Sequence, residues 1–357
     1  MSTETTTVCL LCGHAADLKD SERPGYQSPD KFRIYECTSC NTSFSLPRVD
    51  AIKIYENIYK NGSKVPGYDR YWKYLEGVKK AKNPLEYLAE NEDIYWSVKE
   101  AINVIVHDKG NSKILEIGSG LGYLTYALHR AGYSIEGLDI SKTAVQMAVE
   151  NFGDYYICAD LFEFANQHAE SYDVVVLTEV IEHIDTPSDF VKSIVKLLKP
   201  TGKIIMTTPN KSLFESDIIW KTENPPVHFW WFSEDSMRFI ARQNQMELNF
   251  TDFSGFYKRN YTSYNLRKIR AALPLNPTFD DNGNLYANNK KRNFLREQAR
   301  LLLSELPATK KVLNNIRSYM RKLKEASNHD IIVCDSRGTV LCAIFEKGST
   351  DNLSIKN

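Results

Sequence analysis

Four cysteines near the start of the chain have the spacing of metal ligands. Cys9 and Cys12 form one C-x-x-C pair, and Cys37 and Cys40 form a second, with 24 residues between the pairs. A C-x-x-C turn separates two thiolates as a tetrahedral ion requires, so two turns complete a closed, non-catalytic set. The alternative is free thiols or a redox pair, and redox chemistry is disfavoured because neither pair lies in a βαβ context. The spacing predicts structural zinc.

A glycine-rich turn offers a second kind of chemistry. Gly118, Gly120 and Gly122 are spaced G-x-G-x-G between the apolar stretch Ile114–Ile117 and a helical pattern that begins at Tyr123. Glycine accepts positive φ and lets backbone approach a ligand closely. The helix N-terminus presents unpaired N–H groups to an anion. Taken alone, the pattern is also that of an ordinary strand-to-helix turn.

Acidic residues recur at the ends of the predicted strands. Glu116 precedes the glycine turn, Asp139 ends the next strand, and Asp160-Leu161 follows the third. In a doubly wound sheet the ligand lies at these carboxyl ends. Asp139 could bond both hydroxyls of a ribose, while Asp160 could accept from an adenine amine. The alternative for Asp139 is a helix N-cap, although Ser141 suits that role better.

Two histidines are candidates for acid–base chemistry. His183 lies in TEVIEHI, after the fourth predicted strand, and His228 lies in PPVHFWWF, after the fifth. Histidine has its pKa near working pH, so either could remove a proton from an acceptor. The alternative is that one or both are structural and bond backbone at the rim of a pocket.

The elements that must position these residues follow from hydrophobic periodicity. From residue 112 on, short apolar strands alternate with helices, which predicts an α/β fold with a doubly wound, mostly parallel sheet. A hairpin of Asp330–Cys334 and Val340–Glu346 is expected near the end. The predicted domains are a four-cysteine module (1–48), a helical collar (49–111), the core (112–256 plus 329–348) and a basic helical insertion (257–328).

Composition and charge narrow the class of protein. The chain has 357 residues, 42% hydrophobic and 25% charged, with zero net charge. No apolar run approaches a membrane span, and no secretory signal is evident, so we expect a cytoplasmic protein. The stretch 257–329 holds 16 Lys and Arg against five Asp and Glu. Such asymmetry indicates either an anionic partner or a solvated helical face.

The segments LEIGSGLG, GLDIS, ADLFEF, YDVVVLTEVIEHI, LKPTGKIIMTTPN and PPVHFWWFSEDSM resemble class I S-adenosylmethionine-dependent methyltransferases, in particular the ubiquinone-biosynthesis-type O-methyltransferase group. The cysteine pairs resemble the zinc module of some sugar methyltransferases. The resemblance implies a seven-stranded sheet with an antiparallel last strand. It also implies an S-adenosylmethionine site formed by the following residues: Glu116, Gly118, Gly120 and Gly122 at the methionine part, Asp139 and Ile140 at the ribose, Asp160 and Leu161 at the adenine, and Thr178 or Glu179 at the mouth.

The turn also discriminates between cofactors. A dinucleotide fingerprint needs G-x-G-x-x-G, and the position of its third glycine is Tyr123 here. Glu116, two residues before the first glycine, suits a cofactor with an amine and a sulfonium better than a pyrophosphate. The sequence therefore predicts S-adenosylmethionine rather than NAD.

Three functions remain open from the sequence. The first is O-methylation of a sugar, nucleotide sugar or surface glycan, with His183 or His228 as base, Glu179 at the reaction mouth, and Phe229–Phe232 as an aromatic platform under the sugar. The second is a nucleic-acid methyltransferase that grips RNA through the zinc module and basic helices, which neutral charge disfavours. The third is a silent scaffold, which the intact cofactor residues disfavour.

Overall fold

The computed structural model describes residues 5–65, 67–213, 224–260, 277–286 and 336–348. The described strands are β1 Thr6–Val8, β2 Ala15–Pro24, β3 Lys31–Cys37, β4 Ser43–Leu46, β5 Lys113–Ile117, β6 Ser134–Asp139, β7 Tyr156–Cys158, β8 Tyr172–Thr178, β9 Leu198–Pro209, β10 Trp230–Trp231, β11 Met246–Phe250 and β12 Val340–Lys347. The described α-helices are α1 Ile52–Asn61, α2 Asp69–Lys80, α3 Pro84–Asn91, α4 Asp93–Ile105, α5 Tyr123–Arg130, α6 Lys142–Phe152, α7 Leu161–Gln167, α8 Pro187–Leu197, α9 Glu234–Gln243 and α10 Ser254–Asn260.

A seven-stranded sheet in the order β11-β12-β9-β8-β5-β6-β7 forms the centre of the fold. The strands β5 to β9 pair in parallel, and β12 is antiparallel to both β9 and β11. The middle strands are almost fully buried because helices cover both faces, which explains why they are continuous apolar runs. The predicted fold and its antiparallel last strand are confirmed.

The last predicted strand is present as β12. It pairs with β9 on one side and, over its second half, with β11 on the other. The other strand of the predicted hairpin, Asp330–Cys334, lies outside the described residues.

A smaller sheet at the N-terminus has the order β1-β2-β3-β4-β10. Its last strand comes from far along the chain, since Trp230 pairs with Phe44 and Trp231 with Ser43. The aromatic platform predicted for a sugar is therefore wrong: Phe229, Trp230, Trp231 and Phe232 are all buried, at 6%, 1%, 8% and 0% exposure. They pack the N-terminal sheet onto the core.

Helices α1 to α4 lie in the stretch predicted as a collar, and α2 and α3 pack on α5 beside the glycine turn. Aromatic residues contribute to this packing: Tyr74 and Tyr95, for example, are buried against the ring of Tyr123. Most of the basic stretch 257–328 lies outside the described residues, and the domain boundaries stay predictions. Within the described part of the chain, no helix is long and apolar enough to cross a membrane.

Candidate active site and cysteine cluster

The glycine turn between β5 and α5 has the backbone that its sequence predicts. Gly118, Gly120 and Gly122 all have positive φ, at 72°, 51° and 81°. A Cβ on Gly118 would lie 2.5 Å from Cγ2 of Val180, whereas one on Gly120 would meet nothing within 4 Å. The turn is therefore closed on the Val180 side and open at Gly120. Such an open backbone edge can receive a ligand.

Two carboxylates, Glu116 and Asp139, lie next to this turn. Glu116 is 2% exposed and accepts a hydrogen bond from the hydroxyl of Thr125, and burial raises its pKa to about 8. Asp139 accepts from the backbone N–H groups of Gly120 and Ser141, each at 2.8 Å, and burial raises its pKa as well. Asp139 thus fixes the glycine turn directly. Ser141 is the N-cap of α6, as the sequence predicted.

The third strand end has a mixed polar and apolar character. Asp160 caps α7, because its Oδ1 accepts from the N–H groups of Phe162 and Glu163. Two large apolar side chains are unusually exposed beside these strand ends, Ile140 at 72% and Phe162 at 40%. Leu161 is buried instead. The exposed apolar side chains suit the faces of a flat, polar ring, and the capping carboxylate suits the polar edge of that ring.

His183 and His228 lie together, with ring centroids 4.5 Å apart. Nδ1 of His183 is 2.5 Å from the carbonyl oxygen of Val227. A carbonyl oxygen only accepts, so Nδ1 carries the proton in the neutral ring. The ring also contacts the backbone of Glu179, and Oε1 of Glu182 lies 3.9 Å from Nε2. Burial lowers the pKa of both rings, and the pKa of His228 is lowered further by the charge that His183 would carry. Both histidines are therefore neutral at neutral pH.

Acidic and basic groups surround the histidine pair. Glu179 has φ 54° and accepts from the Thr207 hydroxyl at 3.2 Å, and burial with the nearby Glu182 raises its pKa well above the usual range. Glu182 is fully buried and accepts from Thr208 at 2.9 Å. The positive charge of Arg70 opposes the rise in the pKa of Glu179, and it lowers the pKa of His228, which favours the neutral ring. A protonated Glu179 can donate a hydrogen bond.

The collar supplies site residues that the sequence analysis missed. The hydroxyl of Tyr55 lies 3.1 Å from Nδ1 of His183 and donates to the Val227 carbonyl at 3.3 Å. Arg70 pairs with Glu92 at 2.8 Å. No motif marks these residues, because their partners are separated by many positions in sequence. The density of tyrosines in 50–106 is the one signal the sequence offers for them.

The four cysteines are brought together by the turns around β1, β3 and β4. All four sulfur atoms lie within 4.8 Å of one another, with 3.8 Å between Cys9 and Cys40 and 3.4 Å between Cys12 and Cys37. A tetrahedral zinc site has sulfurs about 3.8 Å apart. Gly13 and Asn41, which directly follow the two pairs, have left-handed φ, at 78° and 53°. The thiol set can hold a metal ion.

Comparison with known proteins bears directly on this site. A family model described as "Methyltransferase domain" matches residues 86–249. This range contains β5 to β9 and therefore the glycine turn, Asp139, Asp160 and His183. Residues 86–249 are accordingly a methyltransferase domain.

Curated relatives carry related names. A mitochondrial ubiquinone biosynthesis O-methyltransferase of Rattus norvegicus is 34% identical over 119 residues, which are 30% of this chain and 34% of the relative. The ubiquinone biosynthesis O-methyltransferase of an Escherichia coli strain is 26% identical over 190 residues, 50% of this chain and 76% of the relative. The chain thus spans about a third of the rat enzyme's length and about three quarters of the bacterial one.

Among solved structures, a SAM-dependent methyltransferase from Archaeoglobus fulgidus aligns with 70% of this chain and 93% of its own, at 16% identity and a TM-score of 0.41. The seven-stranded fold described above, the matched domain and the names of the curated relatives agree with one another. Residues 86–249 are thus the domain of an S-adenosylmethionine-dependent methyltransferase.

The residues at the strand ends fit this donor. Glu116 is a buried carboxylate at a turn left open at Gly120, as an ammonium-bearing ligand requires. Asp139 offers carboxylate oxygens, the acceptors that ribose hydroxyls need. Ile140 and Phe162 expose apolar surface and Asp160 a carboxylate, as an adenine requires. The cysteine cluster likewise fits zinc by ligand type and spacing.

Proposed function

We propose that the chain transfers a methyl group to a hydroxyl oxygen of a small polar acceptor, with His183 as the base. The observation that supports this most directly is the contact between His183 Nδ1 and the Val227 carbonyl, because it leaves Nε2 available to accept a proton. S-adenosylmethionine, when bound, supplies an electrophilic methyl group that needs no activation by the protein. The protein has to align the acceptor and remove its proton.

In this mechanism His183 would accept the acceptor's hydroxyl proton at Nε2, as the methyl carbon would exchange its bond to the sulfonium sulfur for a bond to the acceptor oxygen and leave a neutral thioether. Tyr55 and Val227 hold the ring at Nδ1 throughout. His228, neutral and 4.5 Å away between centroids, can take the same part for an acceptor bound on its side. Protonated Glu179 orients the acceptor by donating a hydrogen bond. The proton on His183 passes to water after product leaves.

We propose that the cofactor residues predicted from the sequence bind S-adenosylmethionine in the roles predicted for them. Glu116 with Gly118, Gly120 and Gly122 holds the methionine portion. The ribose lies at Asp139 and Ile140, the adenine at Asp160 and Leu161, and Thr178 lies at the mouth with Glu179. Phe162 joins the adenine set because it is 40% exposed, whereas Leu161 is buried at 5%.

For the acceptor we propose a sugar, nucleotide sugar or related polyhydroxyl compound. Two histidines, Glu179, Glu182 and Arg70 make the surroundings of the base polar, which suits several hydroxyls better than an apolar ring. Arg70 also suits an acceptor with a negative charge. The curated relatives are named O-methyltransferases, which supports oxygen as the methylated atom.

The experiment that tests the reaction is a screen by mass spectrometry. Purified protein is incubated with S-adenosylmethionine and panels of nucleotide sugars, free glycans, phenols and short RNAs. A product heavier by one methylene on a sugar hydroxyl supports the proposal. Methylated RNA would instead support the nucleic-acid alternative, and methylation at carbon or nitrogen would exclude the hydroxyl acceptor.

Substitution of the histidines tests the proposed base. We expect His183→Ala to lower turnover by about 100-fold or more, the usual contribution of a positioned base. Affinity for S-adenosylmethionine, measured by calorimetry, should be unchanged. His107→Ala, which removes an exposed histidine, is the matched control. Full turnover in both His183→Ala and His228→Ala would exclude a histidine base.

We further propose that Cys9, Cys12, Cys37 and Cys40 hold one structural zinc ion. Their sulfurs lie close enough together for a single tetrahedral ion. Because all four ligands come from the protein, the ion would stabilise the small N-terminal sheet and take no part in methyl transfer.

A further inference from the structure

Arg48 lies just beyond β4 and has no part in the mechanism above. Its guanidinium carbon is 4.5 Å from the ring centroid of Phe229 and 4.4 Å from that of Trp230. Its Nε is 3.6 Å from Oδ1 of Asp185. Yet Nε, Nη1 and Nη2 are all buried and make no hydrogen bond to any residue the structure describes. Burying a guanidinium group without hydrogen bonds costs free energy of folding. The contribution of Arg48 must therefore come from interactions other than hydrogen bonds.

The contacts of Arg48 fall on the two loops that carry the histidines. Phe229 and Trp230 directly follow His228, and Asp185 is two residues after His183. Arg48 therefore contacts both histidine loops at once, from the side of the N-terminal sheet. A planar cation stacked on aromatic rings fixes orientation as well as distance.

The two loops are joined to each other by hydrogen bonds from backbone and side chain. The N–H of Phe229 donates to the Glu182 carbonyl at 3.0 Å, and Nε1 of Trp230 donates to the Ile184 carbonyl at 2.7 Å. With the bond from His183 to Val227, these contacts make one unit of the segments 182–185 and 227–230. We name this unit the histidine clamp. A displacement of either loop is transmitted to both rings.

The N-terminal sheet holds the histidine clamp from outside. Besides the pairing of Trp230 with Phe44, the N–H of Ser45 donates to the Phe229 carbonyl at 3.0 Å. These backbone contacts reach only the His228 side of the clamp. The side chain of Arg48 extends to Asp185 and so reaches the His183 side as well.

We propose that Arg48 is a positioning residue for the reaction: it fixes His183 and His228 relative to each other by stacking on Phe229 and Trp230 and pairing with Asp185. The inference rests on the proposed function, which gives the histidines their role. The cysteine module thereby contributes to catalysis through Arg48, although none of its residues contacts the acceptor.

The first test observes the histidine rings directly, without activity. Protein labelled with 15N-histidine is compared by NMR as wild type, Arg48→Met and Arg48→Lys, with ring signals assigned from His→Gln variants. We expect the signals of His183 and His228 to shift or broaden in Arg48→Met and to return towards wild type in Arg48→Lys, which keeps the cation. Arg130→Met is the matched control, since Arg130 also lies over a ring, 5.8 Å from the centroid of Tyr126, but is an exposed residue of α5.

The same NMR experiment can also contradict the proposal. Unchanged His183 and His228 signals in folded Arg48→Met would overturn it, and so would equal changes in all histidines, because that would be a general loss of structure. If Arg48→Met does not fold, Asp185→Asn replaces it: Asp185 is 67% exposed, and the variant should still move the His183 signal. An unmoved His183 signal there also overturns the proposal.

Kinetics on the acceptor found in the screen complete the test. Arg48→Met should lower kcat by roughly tenfold or more and leave affinity for S-adenosylmethionine unchanged, with recovery in Arg48→Lys. Failure of the proposed function has a different signature. If His183→Ala and His228→Ala keep full turnover, the base assignment fails, whereas the NMR result still reports whether Arg48 positions the rings.

Discussion

The ring of His183 lies 4.5 Å from the ring of His228, centroid to centroid, with an interplanar angle of 69°. The two residues come from different loops, one after β8 and the other just before β10. One ring is held by a carbonyl at Nδ1, while Nδ1 of the other is buried without a partner among the described residues. The Glu182 carboxylate also lies close, with Oε1 3.9 Å from Nε2 of His183.

The pH dependence of turnover should reflect this burial. Because burial lowers the pKa of His183, its neutral, proton-accepting form persists below the ordinary histidine pKa of about 6.5. We expect kcat to stay on its plateau as pH falls through 6.5 and to decline only at more acidic pH. The measurement is kcat against pH with saturating S-adenosylmethionine. A midpoint at or above about 6.5 would contradict the assignment.

Gly118→Ala should weaken binding of S-adenosylmethionine by about tenfold or more. The new Cβ would lie 2.5 Å from Val180 Cγ2, at a φ of 72°, so the turn must move. Gly132→Ala separates the effect of the positive φ from that of the steric clash, because Gly132 has φ 90° and nothing lies within 4 Å of the added Cβ. Calorimetry should find normal affinity in the control. Partial recovery in Gly118→Ala/Val180→Ala would assign the defect to the clash.

Glu116→Gln should stabilise the protein without ligand while weakening its binding of S-adenosylmethionine. The folded pKa of about 8 exceeds the ordinary 4.5, so the protonated carboxyl favours folding and that stability is lost as pH rises towards 8. Each pH unit between the folded and unfolded pKa corresponds to roughly 1.4 kcal/mol of unfolding free energy, reduced by any solvent that reaches the site. The stability advantage of the variant should therefore grow between about pH 4.5 and 8 and then level off.

Urea unfolding at several pH values measures this difference, and calorimetry measures the loss of affinity. Glu163→Gln on exposed α7 surface is the control, because it removes one carboxylate without burial. A constant difference between wild type and Glu116→Gln at all pH values would contradict the prediction.

Removal of the metal should destabilise the N-terminal sheet and the contacts that join it to α9. The Cys40 carbonyl accepts from the hydroxyls of Ser233 and Ser236 at 3.0 and 3.2 Å, at the N-terminus of that helix. We expect one zinc per chain by elemental analysis, and loss of zinc and of thermal stability in Cys37→Ser. Cys158→Ser, at an exposed cysteine, should change neither. Full stability after loss of the ion would exclude a structural role.

Several parts of this protein were determined by the sequence alone. The glycine turn, the cysteine turns and the strand–helix alternation are local, because each depends on residues within a few positions and on backbone preferences such as positive φ. Their conformations agree with the structure, from Gly118 and Gly120 to Asn41. The resemblance of these segments to methyltransferases was likewise carried by short stretches.

Only the tertiary structure decided which distant residues meet. It buried Phe229–Phe232 as part of the N-terminal sheet, where the sequence suggested a ligand platform, because pairing with β4 buries more apolar surface than an exposed platform would. It gave β12 the distant partners β9 and β11. It also brought Tyr55, Arg70 and Arg48 to the histidines, since contacts across long sequence separations follow from how the elements pack and leave no periodic trace in the sequence.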